Sequence, residues 1–99
     1  MAIKVFIKRR IKPGKLAEVG RLITQARYNA MAQQGYISSE TYTALDDSHR
    51  IVVLSMWHDL ADWYAYRESA QRVAHEAEIA PLLSESPIYE IYRLGLVPE

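Results

Sequence analysis

The first dozen residues alternate between apolar and polar. Ile3, Val5, Ile7 and Ile11 share one parity, and Lys4, Lys8, Arg10 and Lys12 share the other. A period of two predicts a strand over residues 2–12 with one face buried. Arg9 interrupts the apolar face near its end and Phe6 interrupts the polar one. Pro13-Gly14 stops the strand in a turn. The period then becomes helical: Leu16, Val19, Ile23, Ala26 and Ala30 form a stripe that Leu22 and Met31 widen, which predicts a helix over 15–34. Gly20 inside it lowers helix propensity but would permit close approach to a sheet. Gly35 is expected to end the helix as its C′ residue.

Residues 36–45 are rich in β-branched and aromatic residues and predict a second strand. A polar turn, Asp46 to His49, leads to a third strand over 50–57. Ile51, Val52, Val53, Leu54 and Met56 put apolar side chains on both of its faces, and such a strand is usually covered on both. A second helix follows over about 60–80, with Asp59 as its expected N-cap. Its apolar spacing slips near Ser69, which predicts an interruption there. Pro81 ends it, Leu82-Leu83 should plug one end of the core, and residues 88–94 predict a last strand. The order is strand, helix, strand, strand, helix, strand. It predicts an α+β, ferredoxin-like βαββαβ fold with a four-stranded antiparallel sheet and both helices on one face. The second sheet face is left for something else to cover, and a second copy of the chain is the expected partner.

Length and composition narrow the function. The chain has 99 residues, 49% hydrophobic and 24% charged, which is one domain over 1–99 with a real core. Formal net charge is zero, so there is no electrostatic reason to expect nucleic acid or an acidic membrane as partner. Lys8, Arg9, Arg10, Lys12 and Lys15 do cluster, and are read as a solvated strand end and loop in preference to an anion site. There is no cysteine, hence no disulfide and no thiolate metal site. No apolar run reaches membrane-spanning length. A cytoplasmic location is expected.

His49, His58 and His75 are not spaced as metal ligands on one element, and there is no nucleophile elbow, P-loop or dinucleotide fingerprint. What remains is aromatic. Trp57 ends the third strand, Trp63, Tyr64 and Tyr66 follow on the helix, and Tyr89 and Tyr92 come from opposite faces of the last strand. Such a set can stack on a flat molecule, with a tyrosine hydroxyl or an imidazole fixing its oxygens. Each residue also has a plainer reading: Trp57 and Trp63 as core, Tyr66 as surface, His75 as a satisfied or exposed histidine.

The chain resembles the antibiotic biosynthesis monooxygenase family of the dimeric α+β barrel superfamily. The resemblance rests on Lys12-Pro13-Gly14-Lys15 after the first strand, on Ser55-Met56-Trp57-His58-Asp59-Leu60-Ala61-Asp62-Trp63, on Ser69 to His75, and on Pro81-Leu82-Leu83. It covers almost the whole chain and implies a homodimer closed sheet to sheet. It also implies a cofactor-independent monooxygenase acting with O2 on a small electron-rich aromatic such as a phenol or quinol. A family asparagine on the first strand falls at Ile7, a tryptophan on the second helix near Tyr66, and a histidine at His75 once the helix takes a one-residue gap. His75 is therefore the expected base and Tyr66 an orienting group. Trp63, Trp57 and Ile7 are expected to line the substrate site. The pocket should lie between the sheet and the second helix of one subunit. Two other readings stay open: a non-enzymatic small-ligand module, and a haem-binding protein with His75 as axial ligand, which is not expected to degrade its haem.

Overall fold

The computed structural model describes residues 1–99. The elements are β1 (Ile3–Arg10), α1 (Leu16–Met31), β2 (Tyr36–Ala44), β3 (Asp47–Trp57), α2 (Leu60–Arg67), α3 (Ala70–Ile79), a 3-10 turn at Ala80–Leu82, and β4 (Ile88–Arg93). The strands form one antiparallel sheet in the order β2-β3-β1-β4. This is the predicted βαββαβ arrangement, with the second helix in two pieces that meet at Glu68-Ser69.

Alternation decides which way the sheet faces. In β1, Ile3, Val5, Ile7 and Arg9 are buried. Their neighbours across β3 are Trp57, Ser55, Val53 and Ile51. Two clusters pack on this face. Ile3, Val5, Ile7, Ala30, Trp57, Trp63 and Tyr66 form one; Ile11, Val19, Ile51, Ile79, Leu82 and Leu83 form the other. α1, α2 and α3 all contribute, so every helix lies on the same side. Leu82 and Leu83 plug the second cluster as expected. The opposite parity, including Phe6, Val52, Leu54 and Met56, has no helix over it, and Tyr42 and Tyr92 beside it are about half exposed.

Several local expectations are corrected. α1 stops at Met31 with Ala32 as its cap, so Gly35 is not the C′ residue. Gly35 instead sits in the following turn at φ 82°, where its carbonyl accepts from the His58 amide at 2.8 Å. Gly20 does not serve a close approach: nothing lies within 4 Å of where its Cβ would be, and it faces solvent. Leu16 and Met31 also face solvent, leaving Val19 and Ala30 as the buried residues of the stripe. β3 begins at Asp47, not Arg50, because the Asp47 carboxylate accepts from the His49 amide at 2.9 Å and from Arg10 on β1 at 2.8 Å. These bonds hold the polar stretch in the ladder and shorten the turn. Asp59 occupies the N-cap position of α2, but its side chain does not cap. Its carboxylate accepts from the N-terminal ammonium of Met1 at 2.7 Å instead.

Gly35 is the position where backbone and packing both demand glycine. A Cβ there would stand 2.2 Å from the Asp62 carboxylate oxygen and 2.5 Å from the Asp62 Cβ. An L side chain at that positive φ costs about 1–2 kcal/mol before any clash. In urea unfolding, Gly35→Ala should cost more than this in the wild-type chain. In an Asp62→Gly background, where all the clashing atoms are gone, it should fall back to about 1–2 kcal/mol. Equal costs in both backgrounds would show that the turn, not the Asp62 contact, sets the requirement.

Candidate functional site

The sequence around the end of β3 builds an aromatic layer. Trp57 is fully buried, and its indole N–H donates to the Ser55 hydroxyl at 3.0 Å. Trp63 and Tyr66 lie three residues apart on α2 and so share a helix face. Tyr66 stacks on Trp57 with centroids 5.3 Å apart and planes 24° apart. Trp63 leans on Trp57 at 5.8 Å and on Tyr89 of β4 at 6.3 Å. Tyr36 meets Trp57 edge-on at 5.7 Å. Such contacts add to plain apolar burial. Tyr64 takes no part; it is 41% exposed on the other side of α2.

Beyond this layer the site becomes polar. Ser69 ends α2 and starts α3: its hydroxyl donates to the Tyr66 carbonyl at 2.7 Å and accepts from the Arg72 amide at 3.2 Å. From that cap, Arg72, His75, Glu76 and Ile79 follow at helical spacing and turn inward. Arg72 and His75 are buried, at 4% and 7% exposure. The Glu76 carboxylate accepts from Arg9 of β1 at 2.5 Å and from Arg72 on its own helix, both through Oε1. Arg72 also donates to the Tyr89 hydroxyl at 3.0 Å, and Arg67 lies over the Tyr89 ring at 4.3 Å.

These groups surround a cavity of about 60 Å3 between the sheet and the helices. That is roughly the volume of two waters. With its mouth, beside Arg27, Ser39 and Thr41, the recess reaches about 520 Å3. The structure brings Ile7, Trp57, Trp63, Tyr66 and His75 together around this one space. It is lined by residues of the sheet and of all three helices.

The protonation states follow from burial. Burial holds His75 below its ordinary value of 6.5, against an opposing pull from the Glu76 carboxylate, so the imidazole is neutral at neutral pH. Its Nε2 is buried without a hydrogen-bond partner, as is the indole N–H of Trp63. Burial pushes the Tyr66 hydroxyl above its usual value, which keeps it a donor. That hydroxyl donates to the Ala26 carbonyl across a long 3.4 Å. Neutral imidazole and protonated phenol are an acceptor and a donor facing one space.

Three residues of the site were not anticipated. Arg9, grouped in the sequence with a solvated basic stretch, is buried at 5% exposure because it holds the parity of Ile3, Val5 and Ile7. Its neighbours Lys8 and Arg10 hold the other parity and pair with Glu90, and with Asp47 and Glu85. Arg72 and Glu76 were missed as well. Their signal was present: with His75 and Ile79 they make one helical stripe, but a polar one, while the apolar Val73 is 59% exposed. No group of three or more His, Cys, Asp or Glu side chains converges to hold a metal ion. Arg9, Arg72 and Glu76 line the cavity beside His75.

Because folding lowers the affinity of His75 for protons, the unfolded chain binds more protons between the folded value and 6.5, and stability rises with pH through that window. Acidification from pH 7.5 to 5.5 should therefore lower the melting temperature of the native chain. The drop should shrink in His75→Gln, which cannot titrate. An unchanged drop would show that His75 does not set it.

Comparison with known proteins gives a family and a fold. The family model for antibiotic biosynthesis monooxygenase matches residues 2–78. No curated protein matches the chain. Among solved structures, a conserved protein from Methanosarcina mazei Go1 superposes with a TM-score of 0.88 at 22% identity, covering 94% of this chain and 92% of that one. A proposed antibiotic biosynthesis monooxygenase from Nitrosomonas europaea gives 0.88 at 18% identity, covering 98% and 92%. SnoaB from Streptomyces nogalater, a cofactor-independent oxygenase, gives 0.85 at 12% identity, covering 99% and 98%. At these identities the likeness is one of fold.

Proposed function

The chain belongs to the antibiotic biosynthesis monooxygenase family, and we propose that it is a cofactor-independent monooxygenase acting with O2 on a small electron-rich aromatic. The observation that carries this reading is the buried, unpartnered Nε2 of His75, which lines the same recess as Tyr66. An aromatic of the phenol or quinol type reacts with O2 readily only once deprotonated. The protein then has three tasks: to bind the ring, exclude water and take the proton.

Each task has a residue. Ile7, Trp57 and Trp63 supply apolar walls. Tyr66 orients a substrate oxygen as a hydrogen-bond donor once its hydroxyl turns from the long bond to the Ala26 carbonyl. His75 accepts the proton, which a charged imidazolium would be unable to do. The resulting anion gives one electron to O2, and the two radicals join as a C–O bond. The peroxide takes up a proton and loses water, which carries off the one hydrogen of that ring carbon and leaves a quinone carbonyl there. One oxygen atom stays in the product and the other leaves as water, with the substrate supplying every electron. A whole ring exceeds the closed cavity, so entry requires side chains at the mouth to move; Arg27 and Thr41 there are exposed.

The open sheet face belongs to the same reading. Phe6, Val52, Leu54, Met56, Tyr42, Ile88 and Tyr92 share it, with Ser38, Lys4, Lys8, Arg10, Arg50, Glu40 and Glu90 among them. Monomers rarely expose apolar patches beyond about 300–600 Å2. A second copy, docked face to face about a twofold axis, would cover it. Light scattering at micromolar concentration should give the mass of two chains, and Leu54→Glu should give the mass of one. A monomer in the native chain would remove this part.

The activity is tested by O2 uptake with a panel of quinols and hydroxynaphthalenes. His75→Ala should lower kcat/KM by about 10²–10⁴-fold, the usual worth of a general base. In the native enzyme kcat/KM should fall on acidification below pH 6.5, as His75 becomes charged, and the variant should lose that dependence. Ligand binding without O2 uptake across the panel would leave a binding module in place of an enzyme.

A further inference from the structure

The Arg9–Glu76–Arg72 cluster carries more positive charge than its own members can neutralise. Two guanidinium groups, at 3% and 4% side-chain exposure, share one carboxylate, and both reach the same oxygen. The balance is +2 against −1. Two elements supply it, β1 and α3, so it is not a helix-surface pair. A buried ion pair is weak grounds for stability even when balanced, because desolvation offsets the attraction. An unbalanced one has less reason still to exist as a structural device. The second observation is independent of charge. The Nε of Arg9 is buried with no hydrogen-bond partner, and so are the indole N–H of Trp63 and Nε2 of His75. All three side chains line the same cavity. Buried polar atoms are rarely left unpaired, and unpaired ones call for an explanation.

We propose that this cluster is an oxyanion site: the cavity binds its aromatic ligand as the phenolate or enolate, with the anionic oxygen held by the Arg9 guanidinium and Arg72 behind it. A single negative charge brings the cluster to neutrality. A dianion would leave an excess of the opposite sign in a site with little water to screen it. The ligand oxygen would also satisfy the Arg9 N–H. This inference rests on the reading above, and it adds what that reading lacks, a stabiliser for the anion once His75 has taken the proton. The other charged or titratable groups around the space are Tyr66 on α2, His75 on α3, Arg67 against Tyr89, and Arg27 at the mouth. None supplies a second carboxylate.

The test uses para-nitrophenol, whose phenolate absorbs in the visible, and para-nitroanisole, its neutral analogue. Both are titrated with the intact protein above pH 6.5, so that His75 stays neutral. Just above pH 6.5 the bound phenol should be mostly ionised where the free phenol is mostly protonated, a preference of about tenfold for the anion. The anisole should bind at least tenfold more weakly than the phenolate. Arg9→Gln should abolish the preference. Glu76→Gln should increase it, since it removes the one carboxylate in the cluster. Opposite signs in two neighbouring variants separate an electrostatic effect from a folding defect, and circular dichroism confirms that each is folded. Equal affinity for phenolate and anisole, or a preference unchanged in Arg9→Gln, overturns the proposal. No O2 is consumed in this assay, so a protein that favours the phenolate yet fails the O2-uptake test keeps the oxyanion site and loses the monooxygenase reading.

Discussion

A single hydroxyl, that of Ser69, sets the phase of the second helical segment, and the site depends on that phase. The group donates to the carbonyl that closes α2 and accepts from the amide that opens α3. If the helix ran unbroken from Trp63 and Tyr66, the same face would continue through Ala70, Val73, Ala74 and Ala77. That face is small and apolar, and would close the space with hydrocarbon. The break turns α3 so that Arg72, His75, Glu76 and Ile79 face inward, while Val73 is left 59% exposed. One side-chain cap, worth about 1 kcal/mol by itself, thus selects between a dry core and a polar cavity.

Exposing a valine while burying two arginines and a histidine runs against the hydrophobic effect on both counts. The aromatic layer beside the cavity offsets that cost. Trp57, Trp63 and Tyr66 are among the most buried residues in the molecule and bring large apolar areas to the helix–sheet interface. The arrangement divides labour along the chain. α2 fastens the helical layer to the sheet, and α3, anchored at its far end by Ile79, supplies polar groups whose burial α2 and Ile79 make tolerable.

The fold was legible because it rests on periodicity. β1 alternates, α1 carries a stripe, β3 is apolar on both faces, and the slip at Ser69 is visible as a change of spacing. The site was half legible. His75 and Tyr66 stand out as residue types, and both line the cavity. Arg9 was hidden by its neighbours: Lys8 and Arg10 reach solvent, and composition alone gives no reason to treat the middle member of three basic residues differently. Its parity with Ile7 gave that reason. Arg72 and Glu76 were hidden by the opposite error, a search for apolar stripes where a polar stripe was the informative one. The Asp59 side chain eluded sequence reasoning because its partner, the terminal ammonium, is 58 residues away.

The alternation of β1 also explains how the two faces of the sheet can serve different ends. Ile7 and Arg9 face the cavity, and Phe6 and Lys8 between and beside them face the open side. Phe6 meets Tyr92 edge-on at 5.3 Å there, and Lys8 pairs with Glu90 at 3.0 Å. Adjacent residues therefore answer to separate demands: one parity to charge and shape inside the subunit, the other to whatever covers the open face. A change on the open parity reaches the cavity only through the strand itself, and β1 is central, held by β3 on one side and β4 on the other. A strand fixed on both edges transmits little displacement. The cavity chemistry and the open-face contacts are thereby physically separable, which allows each to vary with the other held constant.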